Sequence, residues 1–256
     1  MVTTRASSRG ASVGPEFSSV IEFPSIPATP STRKRTIKAT PSTSSNGSPK
    51  KRRLSTDTAQ TWHHTPSSTT ILWLAISVPL VVWDVGYVFG RPHTMPEGFL
   101  HWPIYAPYAL YGQVDHVYGW KAFDAKNGFT AAQTALNVVE SLMYLVYLWM
   151  LWTRAEKASE GVAKRTLSGR DGALAVMVGF SAAVMTLSKT VLYGANEYYS
   201  GFDNISHNTP MDIFTLWVLP NGCWIVLPIY MVWAFGKEIL DGLTIASGQS
   251  VTKSIE

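Results

Sequence analysis

Asp84 and Glu140 are carboxylic acids set inside long apolar runs, TTILWLAISVPLVVWDVGYVF and FTAAQTALNVVESLMYLVYLWMLW. An ionisable group at such a depth costs at least about 2.5 to 3.5 kcal/mol on insertion scales, so each is a candidate functional group. A carboxyl kept from water can hold its proton near neutral pH and donate it. An indole face can stabilise a passing carbocation, and Trp224 lies in a further apolar run. Together these groups suit proton shuffling on an unreactive lipid alkene. They suit equally the binding of an amphipathic cationic or sterol ligand.

The polar residues recur at spacings of three or four, which places them along single helix faces. One face carries Gln133, Asn137, Glu140, Tyr144 and Tyr147, and another carries Thr186, Lys189, Tyr193 and Asn196 or Glu197. Asn221 and Trp224 share a third face, and Asp84 and Tyr87 a fourth. Four stripes that must avoid lipid imply an enclosed cavity between helices. A structural reading stands beside this one: Glu140 or Asp84 pairs with Lys189 to hold a bundle, and Asn221 satisfies a carbonyl freed by a proline.

The elements that position these residues are four apolar runs, each long enough to cross about 30 Å of hydrocarbon. The expected spans are about 69–89, 129–152, 172–195 and 212–236, the last kinked at Pro220 and Pro228. The fold class expected is an all-α, four-helix transmembrane bundle over 69–243, with a short C-terminal tail over 244–256. The segment 90–128 is dense in Pro, Trp and Tyr and reads as a structured cap near the interface.

Residues 1–68 are rich in Ser, Thr and Pro and poor in aliphatic residues, and are expected to be a disordered basic tail. The tail holds ten Lys/Arg against three acids, a surplus of +7, which leaves −3 for the rest of a chain of net charge +4. Its basic runs, Arg33-Lys34-Arg35 and Lys50-Lys51-Arg52-Arg53, resemble a nuclear import signal but read better as topology and membrane-contact signals. No nucleic-acid partner is expected. No cleavable leader is expected from the opening residues. With basic residues in the tail and between spans two and three, the positive-inside rule puts both termini in the cytoplasm. Asn204-Ile205-Ser206 is then a glycosylation sequon on the opposite side.

Cys223 is the sole cysteine, which excludes a disulfide framework and a cysteine metal cluster. His93, His101 and His116 fit no common ligand spacing, so neither a metal nor a cofactor is expected.

TVLYGANEYYSGF followed by NGCWIVLP resembles the emopamil-binding protein family, which holds the sterol Δ8–Δ7 isomerase and the sigma-2 receptor within the EXPERA superfamily. Val191, Leu192, Tyr193, Glu197, Gly201, Phe202, Asn221, Trp224, Leu227 and Pro228 carry the resemblance, and Val139-Glu140-Ser141 resembles the setting of the isomerase's second-span acid. The resemblance covers roughly residues 70–240. It implies a membrane-facing pocket for a sterol-like or terpenoid lipid, with Glu140 exchanging a proton and Asn221 and Trp224 lining a cation site. Asp84 would be the second proton-exchanging group, and Asn137, Tyr144 and Tyr193 further binding residues. The isomerase has a His and a Glu one turn apart on its first span, whereas Asp84 here is followed at plus four by Val88. That departure keeps a non-catalytic binding or trafficking protein of the sigma-2 type open beside a double-bond isomerase. An endoplasmic reticulum location and a possible homodimer complete the expectation.

Overall fold

A computed structural model describes residues 62–157 and 165–248. The expected tail up to residue 61 and the chain after residue 248 lie outside the described residues. What is described is an all-α, four-helix, multi-pass membrane protein. Helix α1 (Ser68–Gly90) begins at Ser67, whose hydroxyl accepts from the Thr70 amide at 3.0 Å. It is followed by α2 (Pro107–Val114), α3 (Trp120–Asp124), α4 (Phe129–Arg154), α5 (Gly169–Tyr199), the single turn α6 (Pro210–Asp212) and α7 (Leu219–Ala246). The long helices α1, α4, α5 and α7 alternate up and down. Packing is heaviest between α5 and α7, then α4 and α5, then α1 and α4, while α1 and α7 meet only sparsely.

The helices outrun the expected spans because polar turns continue them beyond the hydrocarbon. The last turn of α5 carries Asn196 and Glu197, and the last turns of α7 carry Lys237, Glu238 and Asp241. A π-helical stretch, Ile213–Val218, leads directly into α7. Pro220 brings no N–H to the backbone ladder, and the wider turn just before it is where the chain absorbs that loss. Pro228 lies inside α7, and Pro79 inside α1, so the proline interruptions are not confined to the fourth span.

At one end of the bundle, α2, α3 and their connections form the expected cap. Tyr87 at the top of α1 stacks on Tyr108 of α2 with ring centroids 3.6 Å apart and planes at 4°, and its hydroxyl donates to the Tyr118 carbonyl at 2.9 Å. The three histidines of the cap go separate ways. His93 packs on Phe99, His101 meets the Thr94 carbonyl at 2.9 Å, and His116 stacks on His207 at 4.0 Å. The Asn204 amide donates to Glu197 Oε1 at 2.6 Å, and Ile205 beside it is buried. In the folded protein the sequon asparagine is therefore already engaged.

The other end holds a small antiparallel sheet in the order β1 (His63–His64), β3 (Arg165–Ser168), β2 (Glu156–Lys157). Its first strand corrects the expected boundary of the tail at residue 68. Trp62 donates its indole N–H to the Glu238 carbonyl at 2.9 Å, and the fully buried His64 meets the Glu238 carboxylate at 2.5 Å and the Tyr147 hydroxyl at 2.9 Å. A Trp and a His with partners on α4 and α7 can order a short segment that composition alone assigns to the tail.

Between the ends, small residues let the helices approach closely. A Cβ at Gly179 of α5 would lie 2.9 Å from the Phe235 ring of α7 and 3.3 Å from the Tyr147 ring of α4. Nothing lies within 4 Å of a Cβ at Gly194 on the same helix. Gly179→Leu is expected to destabilise by about 1 to 3 kcal/mol through overpacking, and Gly194→Ala to stay near wild type. Thermal unfolding of the two purified variants in detergent compares them directly.

Candidate functional site

The polar stripes meet each other. On α4 and α5, Gln133 donates to the Lys189 carbonyl at 3.2 Å, and the Tyr144 hydroxyl pairs with Thr186 Oγ1 at 2.9 Å. Between those contacts Lys189 is buried with 6 % of its side chain exposed, and its ammonium donates to Glu140 at 2.8 Å and to Asn137 Oδ1. Asn137 in turn extends its amide toward Asp84 of α1 at 3.4 Å, and the Tyr108 hydroxyl of the cap donates to Asp84 at 2.6 Å. One continuous chain thus runs Glu140, Lys189, Asn137, Asp84, Tyr108. It contains two carboxyls and one ammonium.

Asp84 faces a cavity of about 410 Å³ between the helices and under the cap. Leu80, Val81 and Trp83 of α1, Pro107, Leu110 and Tyr111 of α2, and Pro220, Asn221 and Trp224 of the fourth span form much of its wall. Asn137, Lys189, Tyr193, Tyr108 and Tyr118 supply polar atoms. Asn221 donates to the Trp217 carbonyl at 2.8 Å in the π-helical stretch, and Trp224 sets its ring edge-on to Trp73 at 5.0 Å. The asparagine thus bonds the backbone one turn earlier, close to Pro220, and also lines the cavity.

Of the residues singled out in the sequence, Asp84, Asn137, Tyr193, Asn221 and Trp224 come together on this cavity. Glu140 and Tyr144 are not among its lining residues. Glu140 lies behind Lys189, and Tyr144 packs in the core toward the other end of the bundle. The acid that pairs with Lys189 is therefore Glu140, and the acid that remains exposed to the cavity is Asp84.

The cap supplies residues that periodicity does not single out. Asp115 is fully buried, accepts from the Val117 amide and the Trp217 indole at 3.0 Å each, and accepts from the Tyr193 hydroxyl. Burial pushes this carboxyl above the usual carboxylate range, and the Tyr193 hydrogen bond is the largest effect opposing it. Burial also pushes Tyr108, Tyr111 and Tyr118 well above the usual phenol value, which keeps them neutral donors. The Tyr and Pro density of 90–128 is the sequence signal for this roof. Asp115 itself, one acid in an irregular loop, has none.

Comparison with family models, with curated proteins and with solved structures finds no match to this chain.

Removing one partner of a buried ion pair leaves the other charge uncompensated, at a cost of about 3 to 5 kcal/mol. Lys189→Met is expected to destabilise by that order, and adding Glu140→Gln to restore much of the loss; thermal unfolding of the singles and the double closes the cycle. If Glu140→Gln left stability unchanged and failed to rescue Lys189→Met, the pair would not be the brace the geometry describes.

The stacked His116 and His207 give the cap a pH response. Burial first, and then His207, hold His116 below its ordinary value of 6.5. The unfolded cap therefore binds more protons in the interval below 6.5, and stability contributed by neutral His116 is lost as pH falls through it. Amide exchange around Tyr118 is expected to quicken on acidification through that interval, and His207→Gln to flatten the response.

Proposed function

We propose that the cavity binds an amphipathic, lipid-like molecule carrying a cationic group, with the cation against Asp84 and the apolar body along the α1 and α7 walls. The observation that carries this reading is the charge balance of the buried chain. Glu140 is matched by Lys189, so the carboxylate left for the cavity is Asp84, which shares the cavity wall with the rings of Trp83, Tyr108, Tyr118 and Trp224. A carboxylate surrounded by π-faces attracts an ammonium through both charge and cation–π contact. Arg91 at the cap donates from Nε to the Val88 carbonyl and from Nη1 to the Val117 carbonyl.

The sparse contact between α1 and α7 supports entry from the bilayer, since both helices wall the cavity. The segment resemblance to the emopamil-binding protein family, in particular Tyr193, Asn221 and Trp224, supports a sterol or terpenoid skeleton for the ligand and a place for this chain in the EXPERA superfamily. On this reading the protein is a sterol or cationic-amphiphile binding or trafficking protein of the endoplasmic reticulum membrane. The basic residues flanking the sheet end support both termini in the cytoplasm. A homodimer remains part of the proposal.

A second reading, an isomerase of sterol or terpenoid double bonds, is favoured by one observation: Asp84 and Trp224 share the cavity. An acid could protonate an alkene there and an indole could face the cation. Glu140 would have to exchange protons through Lys189 rather than touch the substrate.

Both readings meet in one experiment. Membranes holding wild type or Asp84→Asn are titrated with a tritiated steroidal tertiary amine and, separately, incubated with Δ8 sterols and related terpenoids in heavy water. Saturable amine binding that Asp84→Asn weakens by about 10- to 100-fold, the worth of a charged hydrogen bond, with no deuterium in any sterol, is the expected result. Deuterium in a rearranged product, absent with Asp84→Asn, would replace the binding reading with the isomerase; equal amine binding by both proteins would overturn the role of Asp84.

A further inference from the structure

Asp84 is not alone in pairing with a cavity-lining phenol. At another wall, the Tyr193 hydroxyl of α5 donates to Asp115 of the cap, and Tyr193 also lines the cavity. Two carboxylate–phenol pairs, Asp84 with Tyr108 and Asp115 with Tyr193, therefore address one space. They differ in access: Asp84 itself lines the cavity, whereas Asp115 is fully buried and outside the lining, so that its phenol alone meets a ligand.

The chemistry of that phenol is fixed by its surroundings. A tyrosine hydroxyl has one proton to give and lone pairs to receive with. Three donors converge on Asp115, from Val117 N, Trp217 Nε1 and Tyr193, which makes the carboxylate the acceptor in each. With its only proton committed to Asp115, Tyr193 can offer the cavity nothing but an acceptor. The ring cannot turn away freely, because it is stacked between Phe129 at 6.3 Å and Trp217 at 6.0 Å. Tyr111 lies on the same cavity wall, and a phenol oxygen whose proton is given away keeps two lone pairs with which to accept.

We propose that Tyr193, oriented by Asp115, is a second polar subsite of the cavity that accepts a hydrogen bond from a hydroxyl of the ligand, distinct from the group that meets Asp84. The inference rests on the binding reading above and deepens it. The ligand class it specifies is an amphiphile with a cationic group and a separate alcohol on an apolar skeleton. Asp115 is a positioning residue here: it takes the Tyr193 proton, leaves the phenol oxygen electron-rich, and ties the cap to α5 and the fourth span.

The test uses the full-length protein in detergent and two tritiated probes, a steroidal tertiary amine bearing a ring hydroxyl and its deoxy counterpart. Wild type is expected to bind the hydroxylated amine about tenfold more tightly than the deoxy amine, the net worth of one hydrogen bond in an enclosed site. Tyr193→Phe removes the acceptor but keeps the ring between Phe129 and Trp217, and is expected to bring the two affinities together by weakening only the hydroxylated probe. Asp115→Asn is expected to shrink the preference; where that variant proves unstable, Tyr193→Phe alone decides. Asp84→Asn should weaken both probes in equal proportion and leave their ratio intact. Equal affinity of the two probes for wild type, or a preference that survives Tyr193→Phe, overturns the second subsite while leaving the first reading standing. Loss of saturable binding for both probes in wild type overturns the binding reading, and the subsite falls with it.

Discussion

A lysine ammonium in the middle of a membrane-spanning bundle must find an anion or it will not be tolerated, and much of the polar architecture follows from how Lys189 meets that demand. It takes Glu140 as its counter-ion and Asn137 as a second acceptor. Because both partners lie on α4, the pair fixes the rotation of α5 against α4 more firmly than apolar packing could, since lipid tails solvate leucine as well as another helix does. The same rotation directs Tyr144 to Thr186 and Gln133 to the Lys189 carbonyl. With α4 and α5 locked in this way, Asn137 is left with its amide free to point across to α1.

That leftover amide transmits the constraint to the cavity. Asn137 spans the ion pair on one side and Asp84 on the other, so an unbalanced carboxylate is brought to the cavity wall by the same residue that completes the lysine's shell. The cap finishes the arrangement by placing Tyr108 over Asp84, with Tyr87 stacked beneath its ring. A soluble protein could leave such a carboxylate to water. Here each donor has to be supplied by the chain, and the remaining acceptor capacity is what a ligand can use.

The sequence revealed these stripes because helical periodicity turns a row of polar residues into a face, and in an apolar run a face stands out. Asp84, Asn137, Tyr193, Asn221 and Trp224 were legible for that reason, as were four spans and a cap. Periodicity says nothing about which acid a lysine will choose. Glu140 and Asp84 look alike along the chain, and only the crossing of α4 on α5 decides that Glu140 is the partner. Asp115 was illegible for a different reason, since it lies in an irregular connection where spacing carries no direction. His64 was hidden by the composition around it: its order comes from Glu238 and Tyr147, partners more than eighty residues away.

The two ends of the bundle answer to different physics, and this bears on where change could enter. At the sheet end, Trp62 and His64 close the helices with side chains that meet backbone and carboxylate, away from the residues that line the Asp84 cavity. At the cap end, aromatic rings stack over a space they do not fill. Rings of Tyr105, Tyr108, Tyr111 and Tyr118 contact one another at tilted, stacked and edge-on angles, so the roof is held by many small interactions rather than by one ladder of backbone bonds. Such a roof can part locally without unfolding the spans beneath it, because opening it forfeits ring contacts but leaves each helix's own hydrogen bonds intact. Of the two ends, the cap is therefore the one that can yield to a ligand while the Lys189–Glu140 brace holds the walls.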